Sequence, residues 1–363
     1  MKVLVWQWGR RGAGPLLAVV IARELARLDG VEPTLSLSTM AELLGGPHPP
    51  ANDLPIRTYR SIPQFARRLL AAPWLVPKLA AQLRAARIDV ALCAMPAPFD
   101  LVMAAALRHA GVPFAVMVHD AQRHPGDGFP LQMTLQRALL RQAGTLFALT
   151  HHVADQVRAR GLRPDQTLTL ATHPPFAFDP APPPVGAHGG RMRLLSFGRL
   201  MPYKGLDLLA DAMQRLPDPA AFELRVVGAG PESPDLARLR ALPGVTVENR
   251  WVPESELGHL LGWADAMVLT HREASQSGVA AAAVAAGRWI VATRVGGLAE
   301  QLQADPLAVL CAPDPASVAA ALASLPARDT PPHLPTPAWP SASILAEGLR
   351  SLHAAARGLT ASR

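Results

Sequence analysis

Along most of this chain, short apolar runs of four to six residues alternate with longer stretches in which apolar residues recur every three or four positions. The short runs, at 2–6, 34–37, 90–93, 114–118 and 145–149, read as buried strands. The longer stretches at 15–28, 101–110 and 131–143 read as helices, the first opening on Pro15, a favourable residue in a first helical turn. The pattern then restarts. Strands are expected at 193–197, 223–227, 245–248, 266–269 and 289–293, with helices at 206–215 and 254–261, an alanine-rich helix after Val279, and a last amphipathic helix at 341–356. Alternation of strand and helix predicts parallel sheets wound on both faces, with ligands taken at the loops that leave the carboxyl ends of the strands.

Two proline-rich stretches break the pattern. Residues 174–190 hold six prolines and three glycines without periodicity, and proline recurs again over 327–340. With 363 residues, half of them hydrophobic, there is material for two cores. The expected domains are therefore 1–180 and 191–340, followed by a terminal helical segment, 341–363, that crosses back to the first domain.

Composition narrows the classes. Residues 1–8 form an apolar strand with no long hydrophobic core, ended by Arg10 and Arg11, so no signal peptide is expected and the cytoplasm is the expected compartment. The longest weakly polar stretch, 277–293, is interrupted by Gly287 and Arg288 and is short for a membrane span. Cys93 and Cys311 share no C-x-x-C spacing and are expected to be buried, reduced thiols.

The formal net charge of +7 lies wholly in residues 1–190, since the acidic and basic residues of 191–363 balance. Arg57, Arg60, Arg67, Arg68, Lys78, Arg84 and Arg87 fall between Asp53 and Asp89 with no acidic residue among them, interleaved with Phe65, Leu69, Leu70, Trp74, Leu75 and Leu79. This basic amphipathic segment, interrupted by Pro73 and Pro77, fits either an ordinary surface helix pair with solvated arginines or a dock on anionic lipid headgroups. Nucleic acid is not an expected partner, because no binding motif or aromatic stacking platform accompanies the charge.

Two segments of the second half carry candidate chemistry. Lys204 is one of only three lysines and follows Arg199 by five residues in a strand-to-helix loop, Phe197-Gly198-Arg199-Leu200-Met201-Pro202-Tyr203-Lys204-Gly205. A planar guanidinium and a compact ammonium suit the oxygens of a diphosphate; the same pair also reads as two surface cations. Further on, Glu273-Ala274-Ser275-Gln276-Ser277-Gly278-Val279 opens the alanine-rich helix, ahead of Gly287 and Gly296-Gly297. Amides at a helix start cradle phosphate, and glycine permits close approach, although Ser-Gly before a helix is also an ordinary cap.

Together these segments resemble the donor half of a GT-B glycosyltransferase of family GT4, and Gln276-Ser277-Gly278 resembles a subgroup among bacterial surface-polysaccharide enzymes. The resemblance implies an α/β GT-B fold of two Rossmann-like doubly wound domains facing a central cleft. It implies transfer of a sugar, with retention, from a nucleotide-sugar donor to a hydroxyl acceptor, either a sugar or a lipid-linked one, in cell-surface polysaccharide synthesis. No metal and no cofactor beyond the donor substrate are expected, and the protein would sit at the inner face of an anionic membrane.

By the same resemblance, Arg199, Lys204, Ser277, Gly278 and Val279 bind the donor and Glu273 meets its sugar. His119, at the end of strand 114–118 and oriented by Asp120, would face that sugar. Gly12 and Gly14, in a glycine loop that departs from G-x-G-x-x-G, would leave room for acceptor or phosphate. One departure stands out: the second of the family's two glutamates falls near Ala282, and residues 280 to 283 are all alanine. A nucleotide-sugar epimerase or phosphorylase of the same fold, and a degenerate transferase serving as a partner protein, are the rival readings.

Overall fold

The computed structural model describes residues 1–46, 48–123, 131–174, 176, 182–325 and 339–358. Of the proline-rich stretches, residues 175 and 177–181 of the first and 327–338 of the second lie outside the described residues, and so does the expected domain end at 180.

The first half of the chain alternates β1 (Lys2–Gln7), α1 (Ala13–Leu25), β2 (Glu32–Leu37), α2 (Ile62–Leu70), α3 (Ala72–Ala85), β3 (Val90–Cys93), α4 (Asp100–Ala110), β4 (Phe114–Val118), α5 (Gln132–Leu140), β5 (Thr145–Ala148), α6 (His151–Ala159) and β6 (Thr167–Leu170). All strand pairs are parallel, in the order β2-β1-β3-β4-β5-β6.

The second half alternates β7 (Met192–Phe197), α7 (Leu206–Gln214), β8 (Phe222–Gly228), α8 (Pro234–Arg240), β9 (Val245–Asn249), α9 (Glu254–Trp263), β10 (Ala266–Leu269), α10 (Gly278–Ala285), β11 (Trp289–Thr293), α11 (Gly296–Leu302), β12 (Ala308–Cys311) and α12 (Pro315–Ala323), and α13 (Ser341–Ala356) follows. Its sheet is again wholly parallel, in the order β12-β11-β10-β7-β8-β9.

The chain divides into two compact units, one of Met1–Gln122, Phe129–Pro174 and Ala338–Arg363, the other of Arg123–Gly128 and Pro175–Pro337. In the first, the period-two geometry of a strand divides each strand between two cores. Leu4 and Trp6 of β1 face one core with Val116 and Val118 of β4, whereas Val3, Val5, Ala115 and Met117 face the other. The second core is closed by α13, whose Leu345, Ala346 and Leu349 are fully buried. Ser341 Oγ accepts from the Thr172 amide at 2.8 Å, and Trp339 Nε1 donates to Thr172 Oγ1 at 3.0 Å, which pins the start of this helix to the end of β6.

Several boundaries differ from the sequence pattern. Helix α1 begins two residues before Pro15, because Gly12 supplies the turn and proline is still tolerated where the amide has no intrahelical acceptor. Strands β6 and β12 were not expected: each has only four residues and sits at a sheet edge, where alternation is short and weak. The basic segment is interrupted at Pro73, as expected, with α2 ending at Leu70 and α3 starting at Ala72, but Pro77 does not interrupt it. Pro73 occupies the first turn of α3 and Pro77 lies one turn further in, so a single intrahelical hydrogen bond is lost. Cys93 is buried, as expected, but Cys311 is only half-buried. Among the described residues, no helix is long and apolar enough to cross a membrane.

Candidate active site

In the second sheet β7 lies between β10 and β8, so the chain leaves β7 to one side for β8 and β9 and returns on its other side at β10. At such a reversal the two departing loops diverge and leave a crevice at the carboxyl ends of the strands. Both motif-bearing segments emerge here, one after β7 and one after β10.

The loops are laced together. Thr270 Oγ1 donates to the Lys204 carbonyl at 3.0 Å, the Arg272 amide donates to the Tyr203 carbonyl at 2.8 Å, and the Arg272 guanidinium grips the Asp207 carboxylate. Two glycines permit this closeness. Gly205 has φ 65°, and a Cβ on it would lie 2.0 Å from the Thr270 carbonyl oxygen; a Cβ on Gly198, φ 114°, would lie 3.3 Å from Val279 Cγ2. Any side chain at Gly205 would push the loops apart.

Lys204 Nζ sits 2.7 Å from Nε2 of His271, which is 2% exposed. An ammonium can only donate, so Nε2 is the bare nitrogen and the imidazole is neutral. Tyr203 is buried between two cations, with Arg199 Cζ 5.8 Å and Lys204 Nζ 5.5 Å from its ring centre. A small crevice opens among Ser196, Arg199, Lys204, Leu206, Thr270 and His271. Arg199 is exposed and Lys204 half-buried, so both charges reach solvent at this point.

Ser277 caps α10, its hydroxyl accepting from the Ala280 amide at 3.2 Å. Its own amide donates to Gln301 Oε1 at 2.9 Å and its carbonyl accepts from Gln301 Nε2 at 3.0 Å, so Ser277 is held by α11. The first-turn amides that lie beyond it belong to Gly278 and Val279. Ser277 thus does its local work as a cap, and the two residues after it form the helix start. Glu273 is exposed on the loop between β10 and α10. Ala282, where the family's second glutamate would fall, is buried at 5% exposure, in a packed and uncharged setting.

In the first sheet the reversal falls between β1 and β3. Gly12, φ 79°, heads α1, while a Cβ on Gly14 would lie 2.6 Å from Gln7 Nε2. Gln7 Oε1 accepts from the Gly9 amide at 2.8 Å, so the glycine loop folds over this side chain.

His119, after β4, is 3% exposed, and its Nε2–H donates to the Ala94 carbonyl at 2.8 Å. Burial is the main cause that pulls its pKa below the ordinary histidine value, against smaller opposing effects of that hydrogen bond and of Asp120. Asp120 is half-buried, and its carbonyl accepts from Gln136 Nε2 at 2.5 Å.

His173 lies edge-on to His119, with ring centres 6.3 Å apart, and burial followed by His119 pushes its pKa down to about 3. The structure therefore gathers Arg199, Lys204, Ser277, Gly278 and Val279 in one unit, whereas His119, Asp120, Gly12 and Gly14 belong to the other. His271 and His173 were missed in the sequence. The available signal was the same for both, a histidine just past the end of a strand, but β6 itself was not recognised.

Two family models match the chain. A glycosyl transferase 4-like domain covers residues 18–172, and glycosyl transferases group 1 covers residues 191–327, so together they span most of its length. This chain is a GT-B glycosyltransferase of the GT4 type.

No curated protein matches it in sequence. Among solved structures, this glycosyltransferase is similar to HepE of Anabaena in complex with UDP and glucose, at 16% identity and a TM-score of 0.66 over 100% of both chains. It is similar to sucrose-phosphate synthase of Thermosynechococcus elongatus, at 16% identity and a TM-score of 0.63 over 99% of this chain and 98% of that one. The likeness extends to the UDP-GlcNAc 2-epimerase of Neisseria meningitidis bound to UDP-GlcNAc, at 11% identity and a TM-score of 0.58 over 97% of this chain and 100% of that one. At such identities the glycosyltransferase shares a fold with each of them. Among its described residues no three His, Cys, Asp or Glu side chains are grouped to hold a metal.

Proposed function

We propose that the glycosyltransferase moves a sugar, with retention of anomeric configuration, from a nucleoside-diphosphate donor to a hydroxyl on a lipid-linked acceptor in the building of a cell-surface polysaccharide. The observation that supports this most is the lacing of the β7 and β10 loops, which sets Arg199 and Lys204 on one crevice, with Val279 of the α10 start close to Gly198. A diphosphate leaving group develops negative charge as the glycosidic bond breaks, and fixed cations with helix-start amides stabilise it without reorganising.

In this reading Arg199 and Lys204 hold the diphosphate, and Gly278 and Val279 offer it their amides. Neutral His271 leaves the charge of Lys204 undiminished while fixing its direction. Glu273 meets the donor sugar, and His119, kept neutral by burial, serves a sugar hydroxyl with Asp120 beside it. The loop with Gly12 and Gly14 leaves space for acceptor. UDP in the HepE structure and UDP-GlcNAc in the epimerase structure favour a uridine donor.

The domain assignment that goes with this reading gives acceptor binding to 1–180, donor binding to 191–340 and a returning helix to 341–363. The proposed working place is the cytoplasmic face of a membrane, and no cofactor is called for.

Incubation of the purified protein with UDP-, GDP- and ADP-sugars tests the reading. Release of the nucleoside diphosphate that depends on an added acceptor, with a product of unchanged anomeric configuration by NMR, is the expected result. Conversion of the donor sugar without acceptor would replace it with an epimerase, and failure to bind any donor would leave a non-catalytic partner protein.

A further inference from the structure

Helices α2 and α3 turn an apolar crest outward. Nine large hydrophobic residues are exposed among the described residues, and four of them lie here within thirteen positions: Ile62 at 84%, Leu69 at 47%, Leu70 at 77% and Trp74 at 76%. Ile62, Leu69 and Leu70 recur at i, i+7 and i+8, the spacing of a single helix face. Both helices are anchored beside the crest. Phe65 packs on Tyr59 at 4.8 Å and on Phe99 at 6.2 Å between ring centres, and Leu79, Ala80 and Leu83 of α3 are buried.

The crest is flanked by cations. Arg57, Arg60, Arg67, Arg68, Lys78, Arg84 and Arg87 lie in the same stretch of chain, with no acidic residue from 54 to 88. The Arg68 guanidinium donates to the Arg57 carbonyl at 2.5 Å, and burial together with Arg57 and Arg67 lowers the Arg68 pKa. Like charges are held close at the base of an exposed apolar ridge.

Charge and crest together select the occupant. A second copy of this face would set seven cations against seven, and a nucleic acid would meet the cations but leave Ile62, Leu69 and Leu70 in water. An anionic bilayer meets both, with phosphate headgroups at the arginines and acyl chains around the crest.

We infer that α2 and α3 form a membrane-insertion edge, in which Ile62, Leu69, Leu70 and Trp74 enter the headgroup–acyl boundary of an anionic bilayer while the arginines of this stretch hold its phosphates. The inference rests on the reading of the acceptor as lipid-linked for its purpose, and its test is independent of sugar transfer.

The full-length protein is sedimented with phosphatidylcholine vesicles that contain or lack phosphatidylglycerol. Phosphatidylglycerol raises the bound fraction at least tenfold, and salt lowers it without abolishing it, because the apolar part is not screened. Leu69→Ser with Leu70→Ser lowers partitioning at least tenfold, as does Arg60→Glu with Arg67→Glu at low salt. All four side chains are exposed or at the surface, so melting temperature and UDP binding stay as in the parent protein.

Brominated lipid quenches tryptophan emission in the parent protein, and Trp74→Phe removes most of that quenching. Equal recovery with and without phosphatidylglycerol, or with and without the two leucines, would overturn the inference. So would a concentration-dependent dimer, in place of vesicle binding, that Leu69→Ser with Leu70→Ser dissolves. Absence of vesicle binding alongside acceptor-dependent transfer in detergent would reject the edge and keep the transferase reading. Vesicle binding without transfer would do the reverse.

Discussion

The two units share a wholly parallel six-stranded sheet, yet they place opposite chemistry at the loops beyond their strands. In the second unit those loops carry charge into solvent: Arg199 is exposed, Lys204 half-buried, and Arg272 grips Asp207 across the gap. In the first unit the glycine loop also carries Arg10 and Arg11, but His119 and Asp100 are buried and His173 is half-buried. His119 and His173 both have lowered pKa values, and Asp100, 1% exposed at the start of α4, has its pKa raised to about 7 by burial.

The contrast follows from the strand order. In the second sheet the reversal between β7 and β10 sets a lysine-bearing turn beside a helix start, while in the first the reversal between β1 and β3 is filled by Gln7 and its glycine loop. A fold of one kind thus offers a lysine–arginine pair open to solvent in one unit and an enclosed histidine in the other. The first suits a diphosphate and the second suits hydroxyls, whose hydrogen bonds need no net charge.

The sharpest break in this contrast is at Asp100. Its folded pKa lies above the ordinary value of 3.8, so its contribution to stability is fully present below about pH 4 and is lost as pH rises through about 7. A shift of this size corresponds to something on the order of 4 kcal/mol. Thermal unfolding of the first unit followed across that range should show this loss. Asp100→Asn, which cannot ionise and can still accept from the Ala97 amide, should flatten the curve. An unchanged pH profile in the variant would mean that the buried carboxyl is not what the first unit titrates.

Next in size is Gly205→Ala. The added Cβ meets the Thr270 carbonyl oxygen at 2.0 Å in a left-handed backbone. Strain and displacement should cost about 2–4 kcal/mol and remove donor binding by parting the loops. Calorimetry with UDP would show intact affinity only if the lacing did not matter to the site.

Lys204→Ala should follow, with kcat/KM reduced about ten- to a hundredfold, the equivalent of losing a charge-assisted hydrogen bond of roughly 1.5–3 kcal/mol. Its fold should be intact by circular dichroism. The double variant with Arg199→Ala should lose less than the sum of the two if both hold one phosphate group.

His119→Gln keeps an N–H for the Ala94 carbonyl and should cost at most about 1 kcal/mol of stability. It should lower kcat with donor affinity unchanged. Because burial keeps His119 neutral, the parent rate should show no inflection near pH 6.5 from this residue. Such an inflection, lost in the variant, would place a charge on the enclosed histidine and dissolve the contrast.

Much of this was legible in the sequence. Ten of the twelve strands follow from apolar runs, and the missing two are the four-residue edge strands β6 and β12. Lys204 drew notice because lysine is rare here, and Ser277-Gly278 because the pair opens a run of alanines. What the sequence withheld depends on strand order. The pairing of β7 with β10 brings His271 to Lys204 across 67 positions, and no local pattern announces it. Burial was equally hidden: the sequence placed His119 at a strand end without showing that its ring is enclosed and bonded to Ala94.

The most direct test of the central claim is hydrogen–deuterium exchange of the full-length protein with and without UDP. If the charged crevice at the β7–β10 reversal is the donor site, protection should concentrate in residues 198–206 and 270–280 and vanish in the Lys204→Ala protein. Protection confined to the glycine loop at 8–14 and the segment after β4, with residues 198–206 unaffected, would contradict it.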